Sequence, residues 1–166
     1  RVKSKKEKAA NILFTLNKLV LVERHGNPIY ESLVEKVERL LEFWKEKTKD
    51  YERIYEEGVR VINEMKSLSE RQKSFGFSDL EYSLLLALEE RFGKKEELLN
   101  EIRNISDRLK NYMFPGWFNQ ATSEKNVERQ VRRFVRGLKG RYSITLEEMD
   151  DLYKKLIEGV KNYGIS

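Results

Sequence analysis

The sequence predicts an all-α fold, a bundle of about seven helices joined by short connections. Apolar residues recur at spacings of three and four along almost the whole chain, and no segment of useful length alternates with a period of two. The 166 residues include only 9 glycines and 2 prolines, which is too little turn chemistry for a many-stranded β fold. Aromatic residues make up 11% of the chain and supply large side chains for the core of such a bundle.

The first predicted helix runs from about Lys5 to Glu23, and a turn at His25 and Gly26 ends it. His25 has no second histidine and no cysteine to work with, so we expect it to be an exposed loop residue. The apolar surface of this helix is wide, which indicates burial on more than one side. That surface either lies inside this domain or packs on a neighbouring domain of a larger protein; it includes Phe14, Leu19, Leu21 and Val22.

The second and third helices have clear start signals. Asn27 is predicted to cap a helix over 28–47, whose first residue is a proline and therefore has no N–H to leave unpaired. Asp50 is predicted to cap a helix over 51–68. Gly58 inside that helix costs about 1 kcal/mol relative to alanine, unless close helix packing requires the missing side chain.

Residues 69–77 are predicted to be a connection between helices, and this is the weakest connection in the predicted bundle. We therefore expect a single helical domain over 1–166 that divides at this point. The two subdomains would be 1–68 and 77–166.

Four helices are predicted in the second half of the chain. Ser78 opens the first of them, and Glu81, three residues later, completes a capping box. Gly93 ends that helix, and the next one covers about 95–111.

The last two helices also begin at predicted caps. Thr122 or Ser123 is expected to cap a helix that reaches about Lys139. Thr145 is expected to cap the final helix, which covers about 146–162.

An aromatic-rich segment, 112–118, precedes the sixth helix. It either plugs the end of the bundle or presents its rings to stack on bases or to fill a pocket in a partner. The plug is favoured, and Trp117 is the best interface candidate of the set.

The net charge of +5 is concentrated in two segments. Residues 1–8 contain five basic residues and one acid, and residues 124–141 contain seven basic residues and two acids. These segments therefore carry +4 and +5, and the rest of the chain carries −4. A mildly acidic body with localised basic patches is typical of proteins that bind a polyanion or an acidic partner surface.

The predicted sixth helix divides into two faces. At about 100° per residue, its apolar side chains lie within about 80° of Val127, and four arginines lie on the opposite side. The arginine face is either a solvated surface or a contact for DNA phosphates or for an acidic patch of a partner, both of which guanidinium groups suit well. The candidate partner- or DNA-binding residues are Arg129, Arg132, Arg133, Arg136, Lys139, Arg141 and Trp117.

Residues suited to catalysis or metal binding are scarce. The chain has no cysteine and one histidine, which excludes disulfides, thiolate metal sites and any centre that needs two imidazoles. Paired acids such as Asp150 and Asp151 lie in the first turn of the last helix, where they stabilise the helix dipole. No apolar run approaches the roughly 18 residues of a membrane span. We therefore expect no catalytic site, no cofactor and no metal in this chain, and no membrane contact.

Short motifs follow one another in a recognisable order. The first half contains Lys8-Ala9-Ala10-Asn11-Ile12 and Asn27-Pro28-Ile29-Tyr30-Glu31-Ser32-Leu33. The second half contains Phe77-Ser78-Asp79-Leu80-Glu81-Tyr82, Trp117, Val127-Glu128-Arg129-Gln130-Val131-Arg132-Arg133-Phe134-Val135-Arg136 and a terminal helix to Tyr163-Gly164. In this order they resemble the helical C-terminal domain of the restriction (motor) subunit of type I restriction enzymes, over nearly the whole chain.

The resemblance implies that the chain is a C-terminal fragment of a larger, cytoplasmic subunit. The parent would be an ATP-dependent type I site-specific deoxyribonuclease, with a nuclease domain and two motor domains that use ATP and Mg²⁺. This chain contains no GxxxxGK[ST] phosphate loop. Its implied role is non-catalytic: support of the motor domains, assembly with the methyltransferase and specificity subunits, and contact with the DNA backbone. The alternative is a free-standing helical nucleic-acid-binding module that uses the arginine face.

Overall fold

Helices dominate the computed structural model, which describes residues 3–24, 26–47 and 49–164. Within these ranges there are seven α-helices, a few short 3₁₀ and π segments, and no β-strand. The prediction of an all-α fold with about seven helices is confirmed. His25, which we expected in an exposed loop, lies outside the described residues.

The chain forms two compact units, which we call the N-terminal unit (Arg1–Gly76) and the C-terminal unit (Phe77–Ser166). The N-terminal unit contains α1 (Lys5–Leu16), α2 (Glu31–Lys45) and α3 (Tyr51–Phe75). Its longest helix, α3, packs against both of the others, so that its apolar positions form the centre of this unit.

Helix starts in the N-terminal unit follow local capping chemistry. The Asn27 side chain accepts a hydrogen bond from the Ile29 N–H at 3.1 Å and begins a 3₁₀ turn that leads into α2. The Asp50 side chain accepts one from the Arg53 N–H at 3.1 Å and begins α3. Both predicted caps are therefore present, because an Asx side chain satisfies an N–H that the first helical turn leaves unpaired.

Gly58 brings α1 and α3 together. A Cβ atom built on Gly58 would lie 2.8 Å from Ile12 Cγ1 and 3.3 Å from Leu16 Cδ1. The sequence left two interpretations of this glycine open, and close helix packing is the correct one. After Leu16 the helix continues as a π-helical segment, Asn17–Val22, which buries Val20.

Part of the wide apolar surface of the first helix is solvent-exposed. Phe14 is 74% exposed and Val22 is 67% exposed, whereas Leu19 and Leu21 are half-buried. The interpretation that this surface lies inside the domain is therefore wrong for Phe14 and Val22.

The predicted connection at 69–77 is wrong over most of its length, because α3 continues to Phe75. The helix ends at Gly76, whose φ of 66° places it in the left-handed region that suits glycine. Residues 69–73 lack an apolar stripe, but Glu, Arg, Gln and Lys are good helix formers and extend a surface helix by propensity alone. The boundary between the two units therefore falls between Gly76 and Phe77 in the sequence, and residues 69–76 belong to the N-terminal unit.

The C-terminal unit is a four-helix arrangement of α4 (Asp79–Phe92), α5 (Glu97–Leu109), α6 (Ala121–Lys139) and α7 (Leu146–Tyr163). Helix α4 packs against α5 and α7, and α6 packs against the same two helices, so the four close a ring. The ring surrounds a core of large apolar side chains that are almost completely buried, including Leu85, Leu88, Leu98, Ile102, Ile105, Leu109, Trp117 and Leu138.

Helix starts in this unit match the sequence in α4 and α7 and differ in α6. Ser78 and Glu81 form the predicted capping box, with N–H to oxygen distances of 3.0 and 3.2 Å. Helix α6 begins at Ala121, so neither predicted cap, Thr122 or Ser123, caps it. A 3₁₀ turn immediately before the helix already directs the chain into helical geometry, and the Glu124 N–H bonds to the carbonyl oxygen of Gln120 at 2.9 Å.

Replacement of Ser78 by alanine is expected to lower the stability of the C-terminal unit by about 1 kcal/mol, because an N–H at the start of α4 loses its acceptor. Urea denaturation followed by circular dichroism measures this loss. Ser123→Ala is the matched control and should leave stability unchanged or slightly raised, since Ser123 lies inside α6 and alanine is the better helix former. Equal losses in the two variants would contradict this assignment of the caps.

Candidate functional site

Helix α6 has the two faces that its periodicity predicts. Val127, Val131, Phe134, Val135 and Leu138 are at most 3% exposed and pack into the core. The opposite face of the helix is exposed to solvent along its length. This arginine face consists of Arg129, Arg132, Arg133, Arg136 and Lys139.

Three arginines of this face have no acidic partner among the residues that the structure describes. Among the described residues, no carboxylate forms an ion pair with Arg129, Arg133 or Arg136. Lys139 is also exposed, and no ion pair to it is formed within the same part of the chain. Five other surface cations of the unit, Arg91, Lys110, Lys154, Lys155 and Lys161, each pair with a carboxylate. Lys94, Arg108 and Lys125 are exposed and, like the arginines of this face, form no ion pair with the described residues.

Arg132 is held against α7 by an aromatic ring. Its guanidinium carbon lies 4.0 Å from the centroid of the Tyr153 ring, a cation–π contact. The Tyr153 hydroxyl donates a hydrogen bond to Glu128 Oε2 at 3.3 Å. Burial, and then the negative charge of Glu128, raise the pKa of Tyr153. This arrangement fixes the position of Arg132 at the edge of the arginine face.

Arg141, the last residue of the predicted basic segment, forms an ion pair within the C-terminal unit. Its guanidinium forms a 2.7 Å ion pair with Glu101 of α5, whose side chain is only 20% exposed. Arg141 therefore ties the chain after α6 to α5. The site that remains is a row of exposed cations, with Arg132 beside it, that form no ion pair within the described part of the chain: Arg129, Arg133, Arg136 and Lys139.

Trp117 lies in the core and not at an interface. Its side chain is 0% exposed, and its ring meets that of Phe118 edge-on at 5.8 Å. The expectation that Trp117 contacts a partner is thus corrected, because the left-handed turn at Gly116 (φ 83°) directs the following residues back towards the helices. The exposed rings of this segment are Phe114 and Phe118, at 39% and 36%.

A shallow groove between α6 and α7 borders the arginine face, and the sequence did not indicate it. Its walls include Arg132, Arg136, Met149 and Tyr153. Leu146, the first residue of α7, also lines the groove and is 72% exposed. The only sequence signal was an apolar residue at the start of a helix, ahead of the buried stripe.

Two of the acids near the start of α7 form ion pairs. Glu148 pairs with Arg91 of α4, and Asp150 pairs with Lys154 at 3.0 Å. Within the described ranges no three histidine, cysteine or acidic side chains converge as a metal site requires. None of the helices described is both long enough and apolar enough to cross a membrane.

The basic N-terminal segment is partly engaged with its own unit. Lys5 forms a 3.2 Å ion pair with Glu52 of α3, and the Lys8 ammonium lies 5.9 Å from the centroid of the Tyr55 ring. The larger unpaired basic surface is therefore the arginine face of α6.

Comparison of the chain with protein-family models, curated proteins and solved structures finds no match.

Proposed function

We propose that this chain is a non-catalytic helical docking domain of the restriction subunit of a type I restriction enzyme, and that the arginine face of α6 is its docking surface. The spaced motifs of the sequence support the family. The grouping of Arg129, Arg133 and Arg136 supports the surface, because these three exposed arginines lie together on one helix and none forms an ion pair with the described residues.

The arrangement of the arginines favours binding over simple solvation. Arg129 and Arg136 are seven positions apart on one face, which at about 1.5 Å per residue is roughly 10 Å along the helix. Cations held this close repel one another, and a polyanion or an acidic surface relieves that repulsion. The opposite face of α6 is buried, so the helix presents these groups from a fixed backbone and loses little backbone entropy on binding.

In the assembled enzyme, the proposed partners are the methyltransferase and specificity subunits, the motor domains of the parent chain and the DNA backbone. The ATP- and Mg²⁺-dependent steps belong to the parent subunit in the cytoplasm. The proposed contribution of this domain is to position its partners, through the exposed arginines of α6.

A second candidate function is that of a free-standing helical module that binds nucleic acid without reading its sequence. The observation that favours it is the continuation of the row at Lys139, which extends the positive surface beyond the arginines. Phosphate contacts of this kind fix position on a duplex and carry no sequence information.

The variant Arg129→Ala with Arg133→Ala is expected to weaken binding to the methyltransferase core, to duplex DNA or to both, by about tenfold or more at low salt. Each lost phosphate contact should also reduce the slope of log K against log salt by about 0.9. Fluorescence anisotropy at two salt concentrations measures the DNA interaction, and size-exclusion chromatography of mixtures measures the interaction with the core.

The matched control removes two positive charges elsewhere in the same unit. Lys110→Ala with Lys155→Ala eliminates two exposed cations that pair with Asp107 and Glu90, away from the arginine face. We expect it to change either affinity less than threefold. If the arginine variant and the lysine variant behave alike, net charge explains the binding and the assignment of the arginine face is wrong.

A further inference from the structure

The groove beside the arginine face has two chemically different walls. One wall, on α6, carries Arg132 and Arg136. The other, at the start of α7, carries Leu146 and Met149, with Asp150 at its edge. Val135 of α6, which is 2% exposed, forms part of the floor.

The apolar wall of the groove exposes a leucine side chain to water, and the start of α7 does not need an apolar residue at that position. Leu146 is 72% exposed at the first position of α7, where a polar residue would serve the helix equally well. Met149, one turn further along, is half-buried and extends the apolar strip into the groove. A leucine next to a methionine is a surface that a partner can bury, and methionine adapts its shape to an apolar ligand.

The charges of the groove are also unequal. Asp150 is paired with Lys154, so the α7 edge is close to neutral. Arg136 has no ion-pair partner among the described residues, and Arg132 keeps its charge while it stacks on Tyr153. The groove is therefore positive on the α6 side and apolar on the α7 side.

We propose that this groove binds an amphipathic helix of a protein partner, one that carries leucine-like residues on one stripe and Glu or Asp on the adjacent stripe. The inference rests on the proposed docking function and specifies the chemistry of the partner. The apolar stripe packs on Leu146 and Met149, and the carboxylates meet Arg132 and Arg136. Further acids on the same helix reach Arg133 and Arg129 along α6.

Duplex DNA fits this groove less well than an acidic helix does. A phosphate backbone has no apolar group that could pack on Leu146 and remove it from water. Carboxylates on a helix recur every three or four residues, as Arg129, Arg132, Arg133 and Arg136 do on α6. A partner helix that lies along α6 can therefore place a carboxylate opposite each of these arginines over two turns.

The test uses the 166-residue chain and a fluorescein-labelled peptide of Glu, Leu and Ala, in which the leucines form one helical stripe. The reference peptide has the same composition in a scrambled order that removes the stripe. Fluorescence anisotropy should show that the striped peptide binds about tenfold more tightly than the scrambled one. Arg136→Ala should weaken binding of the striped peptide about threefold to tenfold.

The decisive variant is Leu146→Ser, which changes no charge and lies at an exposed first helical position where serine is tolerated. It should weaken binding of the striped peptide about tenfold and leave duplex DNA binding unchanged. Phe114→Ser, at another exposed apolar residue of the same unit, is the matched control and should have no effect on the peptide. Circular dichroism checks that both variants remain helical.

Three results would overturn the acidic-helix inference: the two peptides bind equally, neither peptide binds, or Leu146→Ser has no effect on binding of the striped peptide. In those cases the docking function still stands if Arg129→Ala with Arg133→Ala weakens binding to the methyltransferase core or to DNA. If that arginine variant is also without effect on either ligand, the proposed function fails independently.

Discussion

Replacement of Trp117 by alanine is expected to destabilise the C-terminal unit by about 3–5 kcal/mol, the largest loss that we predict for a single residue. The side chain is 0% exposed and is the largest of the fully buried ones, so its removal leaves a cavity that the four helices cannot close without losing other contacts. Urea denaturation followed by circular dichroism at 222 nm measures the loss. Tryptophan fluorescence is unsuitable because the substitution itself removes a fluorophore.

Phe118→Ala is the control for this variant, because Phe118 is adjacent in sequence but 36% exposed. It should cost much less, since its ring is only partly removed from water. The Trp117 variant also distinguishes a core role from an interface role. If Trp117→Ala kept full stability but lost binding to a partner, the Trp117 side chain would have to be accessible to that partner. The assignment of Trp117 to the core would then be wrong.

Two of the errors of sequence-based prediction in this chain have one physical origin. The sequence predicts that the third helix ends at Leu68, and it offers Trp117 as an interface candidate within an aromatic segment for which a plug of the bundle is favoured; α3 instead continues to Phe75, and Trp117 is buried as a plug requires. In both cases the local pattern is a poor guide to the tertiary environment. A polar helix needs no stripe when its residues favour helix, and a loop residue is buried when a glycine turn directs it inward.

Sequence-based prediction was more successful for helix starts at which a single capping side chain determines where the helix begins. Asn27, Asp50, Ser78 and Thr145 all cap the helices that the sequence assigned to them. Each cap satisfies an N–H two or three residues away, so the whole interaction lies within one short window of sequence. Tertiary packing has little opportunity to override it.

The sequence predicts which side of α6 carries the exposed arginines, but it does not predict the contact that each arginine makes. Helical periodicity placed the arginines opposite the core, and burial follows that division. No pattern within α6 distinguishes Arg132, which stacks on Tyr153 of α7, from Arg133, which has no ion-pair partner among the described residues. Those differences depend on residues that only the packing of α6 against other helices brings near.

Gly58 is the position in the N-terminal unit where a larger side chain should do the most damage. Gly58→Leu is expected to destabilise that unit by about 3 kcal/mol, because α1 already occupies the space that the side chain needs. The nearest atoms, Cγ1 of Ile12 at 2.8 Å and Cγ2 at 3.1 Å from a built Cβ, belong to a β-branched residue whose rotamers are restricted in a helix. The obstruction is therefore stiff, and relief requires the two helices to separate.

Gly137→Leu is the matched control, since Gly137 also lies inside a helix but has no atom within 4 Å of a built Cβ. Leucine is the better helix former, so this change should raise stability by up to about 1 kcal/mol. The same substitution thus acts with opposite sign at two helical glycines, and urea denaturation of both variants measures the difference. If Gly58→Leu were also neutral or stabilising, α1 could not approach α3 as closely as the structure requires, and the packing of the N-terminal unit would have to be revised.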